Sequence, residues 1–426
     1  MKVASFSPMP PERSGIADYT ALLLPALRER LEIEVVKRGK QKLPRGCDIG
    51  LFQIGNDPDA HAWIVQALRR SPGVVVLHEI VLHHLVAGLT LARRDSKGYL
   101  DAMEREGGLA ARLLAFGVIE SKIPPLWETR PEDFPLAGEI LDLAAAGGGL
   151  IVHSRYVEQG ARAAGYAGPV FRVPHPAWPA PALEPARIDP PTGAPGGVLG
   201  PVIGCFGHLN AAKRVPQLLE AFAQLRRTHP GAKLLLVGAK APRFELDQRI
   251  EKLGLGDSLQ REEYVPEERL WSLMAAADIH VCLRAPTMGE TSGSALRALS
   301  LGKPLVVSEL GWFAELPAAV ALKVPVDEHE TRTLAGALAL LADDPAARRA
   351  MGEAALHLAQ TEHSVAHVAD LYAAALVQAA GGGAVADAVL GEVARAAADV
   401  GIGGGATVDA ATVEIAERLR EVGLGR

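Results

Sequence analysis
The sequence predicts an α/β protein of two doubly wound halves, followed by a helical C-terminal tail. Three observations predict it. Short apolar runs alternate with helix-patterned stretches through residues 3–173. A Pro- and Gly-rich segment at 177–200, AWPAPALEPARIDPPTGAPGGVLG, then breaks the alternation. The alternation resumes at 202 and continues to 380, after which GGG and GIGGG bracket a different kind of sequence. Apolar runs that are continuous, not alternating, mark strands buried on both faces, as in a parallel sheet covered by helices.

In the first half, strands are expected at 3–7, 33–37, 49–54, 73–77, 149–152 and 170–173. Helices are expected at 16–31, 60–70, 82–91, 99–116 and 134–146, from apolar residues at helical spacing. The 177–200 segment has little periodicity and reads as a linker with an exposed edge. In the second half, strands are expected at 202–206, 232–237, 279–283 and 304–308. Helices are expected there at 216–228, 243–253, 267–277, 294–301, 330–341, 345–360 and 365–380. The tail, 381–426, carries two apolar-periodic stretches, 384–400 and 408–422, read as short amphipathic helices on flexible joints. They pack on the body, pair with a second subunit, or form an arm that meets a partner or a membrane. The polar side lacks the Lys/Arg enrichment of a membrane-surface helix. The domain reading is 1–180, 200–362, a helix at 363–380 returning towards the first domain, and the tail at 381–426. Ligands in such sheets bind at the carboxyl ends of the strands, here expected to face a cleft between the halves.

Composition narrows the class. With 49% hydrophobic and 22% charged residues, the 426-residue chain is globular and long enough for two or three domains. A formal net charge of −6 argues against a nucleic-acid binder, which needs a basic surface. Cys47, Cys205 and Cys282 are far apart, without a CxxC pair, so neither a zinc site nor a disulfide framework is indicated. Cys205 and Cys282 lie in apolar runs and read as small core residues. The apolar run at the start is too short for a signal peptide, and no apolar run reaches the ~18 residues of a membrane span. The expectation is a cytoplasmic protein, with peripheral membrane contact left open.

The stretch 285–317, APTMGETSGSALRALSLGKPLVVSELGWFAELP, carries the most chemistry. Gly289 and Gly293 surround Glu290, Thr291 and Ser292 just before a helix. A helix N-terminus offers unpaired N–H donors and partial positive charge, so the loop suits a phosphate. Glu290 can accept from a ribose diol. An ordinary helix cap is the plainer reading. Upstream, the strand at 202–206 runs into GHLNAAKRVPQLLEAF. Gly207 permits close backbone approach, and His208 and Lys213 can neutralise a diphosphate leaving group. Gly238, closing LLLVG, joins Gly15, Gly207 and the Gly289–Gly293 loop as a donor-lining candidate.

In the first half, His78 ends the buried run VVVLH at a strand's carboxyl edge, where it either contacts a sugar or acceptor or is a satisfied core histidine. Asn56, Asp57, His153 and Arg155 are further strand-end candidates, whereas His61, His83 and His84 read as structural. Asp18 either meets an acceptor, with Tyr19, or favours the positive end of its helix. Asp57–Asp59 has DxD spacing but lies in the first half, so no metal site and no cofactor are expected; positive side chains and helix dipoles take the metal's place.

These blocks, in order, resemble the retaining, nucleotide-sugar-dependent glycosyltransferases of family 4 over residues 1–380. They are SGIADYT, GNDPDAH, PGVVVLHEIVLHHL, IVHSRYVE, VPHP, GHLNAAKRVPQLLEAF, LLLVG, AAADIHV and GETSGSALRALSLGKPLVVSELGWFAELP. The resemblance implies the GT-B fold, two Rossmann-like domains facing a cleft. It implies that Lys213 is the cation on the donor diphosphate and that Gly15 backs onto the donor phosphates. His208 stands where the family commonly has Arg. Aligned on GKPLVV, Arg297 stands where the family's second glutamate would be, Gly289 falls on the first, and Glu290 is displaced by one. Glu290 then holds either the transferred sugar or the ribose. The implied partners are a UDP- or GDP-linked sugar and a glycan, lipid-linked or small-molecule acceptor, with homo-oligomers through the tail left open. Two other readings stand beside this one: a sugar-nucleotide epimerase on the same fold, and a non-catalytic sugar-nucleotide binder or scaffold.

Overall fold
A computed structural model describes residues 1–12, 14–192, 194–242 and 244–381. The described residues divide into two compact units: 1–173 with 369–381, and Pro174–Val368. The tail stretches predicted at 384–400 and 408–422 lie outside the described residues.

Unit 1 is a six-stranded parallel sheet. Its strands are β1 (Lys2–Phe6), β2 (Glu32–Val35), β3 (Ile49–Ile54), β4 (Val74–Leu77), β5 (Leu150–Val152) and β6 (Val170–Arg172). Their spatial order is β2-β1-β3-β4-β5-β6. Every residue of β3, β4 and β5 is buried, which is why these strands read as unbroken apolar runs. Among its described helices are α1 (Gly15–Arg28), α2 (Pro58–Arg70), α3 (His83–Leu89), α4 (Ser96–Ile119), α5 (Leu126–Thr129), α6 (Gly138–Gly147) and α7 (Arg155–Ala163), with α4 and α5 packed in an apolar cluster of their own with α3. Ser14 caps α1, accepting from the Ile16 N–H at 3.2 Å, and Asp57 caps α2 through the Asp59 N–H at 2.9 Å. The helix α4 breaks at Gly107–Gly108, where Gly108 has φ +65°. A closing helix spans 365–381.

All six strands predicted here are present. The helix predicted at 134–146 begins only at Gly138, because Phe134 lies outside the helical region at φ −138° and Leu136 has φ +55°. The short helices α5 and α7 were not anticipated. Only Val157 and Ala161 of α7 are buried.

Unit 2 is a second six-stranded parallel sheet. Its strands are β7 (Val202–Phe206), β8 (Lys233–Val237), β9 (Leu259–Glu262), β10 (Ile279–Cys282), β11 (Leu305–Ser308) and β12 (Ala321–Val324). Their order is β12-β11-β10-β7-β8-β9. Helices α8 (Val215–Leu225), α9 (Leu246–Lys252), α10 (Glu267–Ala276), α11 (Gly293–Ser300), α12 (Glu330–Asp343) and α13 (Pro345–Gln360) cover it. Alternate strand residues feed two apolar layers. Ile203, Cys205 and Val281 join α8 and α12 in one, while Val202, Phe206 and Cys282 join α11 and α13 in the other. The edge strands β9 and β12 were missed. LQRE is half-buried throughout, and ALKV is buried only at its ends, so neither carries a continuous apolar run. The helix predicted from 243 begins at Leu246, and residue 243 lies outside the described residues.

The 177–200 segment differs from the expected linker. Ala177 and Ile188 are buried in the second apolar layer of unit 2. The Ala177 N–H donates to the His363 carbonyl at 2.8 Å, and the Ala186 N–H to the Ser272 carbonyl at 2.9 Å. Backbone bonds and proline stiffness hold this segment in place without repeating structure.

Candidate functional site
In each sheet the first strand sits between its successors, so the chain leaves it in opposite directions. That switch point opens a crevice at the carboxyl ends of two neighbouring strands. In unit 2 these are β7 and β10, whose following loops hold Gly207–Lys213 and Arg284–Gly293. The two loops touch: the Ala285 N–H donates to the Ala212 carbonyl at 2.8 Å.

The first loop is built around glycine. Gly207 has φ +95°, and a Cβ there would lie 2.6 Å from the Lys213 Nζ. Gly238 has φ +145°, and its Cβ would lie 2.1 Å from the Gly207 carbonyl oxygen. The loops after β7 and β8 therefore meet backbone to backbone, with the Gly207 N–H donating to the Val237 carbonyl at 2.8 Å. Asn210 Oδ1 accepts from the Lys213 N–H at 3.0 Å and turns the chain, so that Lys213 Nζ folds back to donate to the Phe206 carbonyl. His208 is exposed beside it.

The second loop places Glu290 inward. Its Oε2 accepts from the Met288 N–H at 2.9 Å and from Thr287 Oγ1 at 3.1 Å, and its Oε1 lies 2.9 Å from Arg284 Nε. Gly289, at φ +96°, donates its N–H to Thr287 Oγ1 at 3.1 Å. Ser292 caps α11, accepting from the Ala295 N–H at 3.3 Å, and Ser294 Oγ lies 3.1 Å from Ser292 Oγ. Thr291 Oγ1 is buried with no hydrogen-bond partner among the described residues. A Cβ on Gly293 would reach the Arg297 guanidinium at 3.4 Å.

Lys213, Arg284, Ser292 and Ser294 line one small cavity with Cys205 and Cys282. Burial lowers the pKa of the Lys213 ammonium, and the Arg284 charge adds to that. Burial pushes the Cys282 thiol up to about 11 and raises Cys205, so both are neutral thiols. Two cations and a serine-capped helix start make a pocket suited to an anion.

Arg284 was not singled out from the sequence. Its signal was its position, the residue directly after the strand run IHVCL, at a strand's carboxyl end. Arg297 lies with its guanidinium 4.1 Å from the Trp178 ring and 5.7 Å from that of Trp271. Its Nη2 is 3.8 Å from Glu267.

Unit 1 gathers its candidates differently. Gln53, His78 and His153 stand at the carboxyl ends of β3, β4 and β5, buried against Tyr19 and Tyr372. His78 Nε2 is 2.7 Å from Gln53 Oε1, and its ring stands edge-on to Tyr19 at 4.9 Å and tilted to His153 at 5.0 Å. His153 Nδ1 is 2.8 Å from the Val173 carbonyl. Gly15 and Asp18 are exposed at the start of α1, and a Cβ on Gly15 would meet nothing within 4 Å. Asn56 is a joint: its N–H donates to Glu79 at 2.8 Å and its Oδ1 accepts from the Leu85 N–H at 3.0 Å. Asp57 is the cap of α2. His61 and His83 are buried, 3.0 Å from the Gln53 carbonyl and 2.8 Å from the Tyr99 hydroxyl respectively, while His84 is exposed. Among the described residues no group of three or more His, Cys, Asp or Glu is placed to hold a metal ion. No helix among them is long and apolar enough to cross a membrane.

Comparison with known proteins places this geometry. Residues 199–357 match the sequence family described as Glycosyl transferases group 1. The chain is 27% identical over 172 residues to a 2-deoxystreptamine glucosyltransferase of Streptomyces kanamyceticus, covering 40% of this chain and 44% of that protein. It is 31% identical over 161 residues to a D-inositol 3-phosphate glycosyltransferase of Segniliparus rotundus, covering 36% and 34%. The matches thus span less than half the length of these curated relatives. In three dimensions, the Anabaena Alr3699/HepE structure in complex with UDP-glucose aligns with a TM-score of 0.56 at 17% identity, over 88% of this chain and 99% of that one. A sucrose-phosphate synthase from Thermosynechococcus elongatus aligns with a TM-score of 0.55 at 17% identity, over 86% and 96%. The two sheets and their helices are the two Rossmann-like domains of the GT-B fold.

Proposed function
We propose, for a chain whose residues 199–357 match the family Glycosyl transferases group 1, that the protein transfers a sugar from a nucleotide-diphosphate donor bound at the switch point of unit 2. One observation carries this reading: Lys213 and the serine-capped start of α11 line the same cavity at the carboxyl ends of β7 and β10. A leaving diphosphate gains negative charge as the glycosidic bond breaks, and preorganised cations and N–H donors stabilise that charge without reorganising. These groups favour a reaction that needs no metal. We further propose retention of anomeric configuration. The bond from the sugar C1 to the diphosphate oxygen breaks, the acceptor oxygen bonds to C1 on the same face, and the acceptor proton passes to the departing phosphate oxygen. The Anabaena structure holds UDP-glucose, which makes UDP-linked sugars the first donors to test.

The test is nucleotide release from UDP-, GDP- and ADP-sugars in the presence of EDTA, with the product anomer read by NMR. Lys213→Ala should lower turnover by about a hundredfold or more, the scale of removing one transition-state charge donor. Normal turnover in that variant refutes the assignment. Donor binding without turnover against any acceptor favours the non-catalytic reading, and free nucleotide with an inverted sugar hydroxyl favours an epimerase.

A further inference from the structure
Arg284 and Glu290 form an ion pair inside the pocket, and the donor-site reading above gives that pair no task. Arg284 leaves the carboxyl end of β10 and lines the same cavity as Lys213. The two cations oppose each other: after burial, the Arg284 charge is what lowers the Lys213 pKa, and Glu290 is one of the groups that act the other way. The pairing is one of charge more than of aligned hydrogen bonding. Arg284 Nε lies 2.9 Å from Glu290 Oε1, yet this buried N–H has no acceptor in line. The better-directed bonds of Glu290 go to the Met288 N–H and the Thr287 hydroxyl. One carboxylate cannot satisfy two cations and a helix start. A diphosphate, with several acceptor oxygens and more than one charge, can.

We propose that Arg284 is a second cation for the donor diphosphate and that Glu290 is its internal counter-anion, which the diphosphate displaces from Arg284. The inference rests on the donor-site reading and deepens it. It gives Glu290 a role opposite in sign to that of a donor ligand: it competes with the donor.

Calorimetric titration of the full-length protein with UDP, and separately with uridine, tests it. Arg284→Ala should weaken UDP by about tenfold or more, the scale of a lost charge-assisted bond, and leave uridine unchanged. Glu290→Gln should tighten UDP by roughly threefold, since the competing charge is gone while the loop's hydrogen bonds are largely kept. In the Arg284→Ala background, Glu290→Gln should no longer tighten UDP, because the two effects pass through one contact. Weaker or unchanged UDP binding in Glu290→Gln overturns the proposal, as does an equal loss of UDP and uridine in Arg284→Ala. Should Glu290→Gln not fold, the UDP and uridine comparison in Arg284→Ala decides alone. Lys213→Ala separates the two levels. If it binds UDP like the parent protein, or the parent binds none, the donor-site reading itself falls. If it loses UDP while the Arg284 and Glu290 variants behave as the parent, only this inference falls.

Discussion
At the scale of single residues, the pocket of unit 2 is set by where side chains are missing. Gly207 and Gly238 both have positive φ, and their neighbours differ in how far they can yield. A Cβ on Gly207 meets the far end of Lys213, a flexible chain that can swing away. A Cβ on Gly238 meets the Gly207 carbonyl oxygen at 2.1 Å, which is backbone and cannot. Gly238→Ala should therefore destabilise unit 2 by more than about 2 kcal/mol, through left-handed strain plus forced separation of two loops. Gly207→Ala should cost about 1–2 kcal/mol and chiefly displace Lys213, weakening nucleotide binding more than folding. Urea denaturation and UDP titration on both variants check this. A Gly238→Ala protein as stable as its parent would mean that the loops after β7 and β8 do not approach as described.

At the scale of elements, the closing helix is fixed into unit 1 by a buried polar contact. The Tyr372 hydroxyl bonds to the Tyr19 hydroxyl of α1, and both rings are buried. On the surface, Arg30 adds an ion pair to Asp370 at 2.6 Å. Tyr372→Phe should cost about 1–2 kcal/mol, because it removes the buried hydroxyl that Tyr19 and Gln53 both meet. Replacing both tyrosines by Phe should cost less than the sum of the single changes, since the one Tyr19–Tyr372 bond is lost in each single variant and only once in the double. Denaturant unfolding of the three variants measures the difference; strict additivity would show that the two hydroxyls do not depend on each other. The sequence announced this helix through its apolar spacing but gave no sign of its partner, because contacts across more than three hundred residues leave no local pattern. The same reason divides the rest. The strands β3, β4 and β7 were legible because burial on both faces demands unbroken apolar runs. The edge strands β9 and β12 were not, since half-buried residues place no such demand. Lys213 and the Gly289–Gly293 loop could be singled out because phosphate chemistry favours those residue types at helix starts. The inward turn of Glu290 onto Arg284, and Arg297 lying on Trp178, depend on how loops cross at the switch point and on a proline-rich segment with no periodic signal.

At the scale of the whole molecule, stability is tied to pH through buried neutral histidines in both units. In unit 1, burial lowers His61 and His83 from 6.5 to about 4. In unit 2, burial lowers His280 from 6.5 to about 3, and lowers His363 as well. As pH falls through 6.5 the unfolded chain takes up these protons, while the folded chain does so only near 4 or below. The folded state therefore binds fewer protons across that window, and its stability falls as pH falls. Each fully developed histidine contributes a slope of about 1.4 kcal/mol per pH unit. Unit 1, with two such groups, should lose about 3 kcal/mol per unit as pH approaches 5, while remaining insensitive to these groups above pH 7. Urea midpoints measured between pH 7 and 5 test this, with His280→Gln expected to remove one histidine's share of the slope in unit 2. Carboxylates paired with arginine, such as Asp101 with Arg112, have depressed pKa values and lose their contribution only at more acidic pH. A decline beginning near pH 6.5 thus belongs to the histidines, and a stability curve flat from pH 7 to 5 would mean that these rings are protonated or hydrated within the fold.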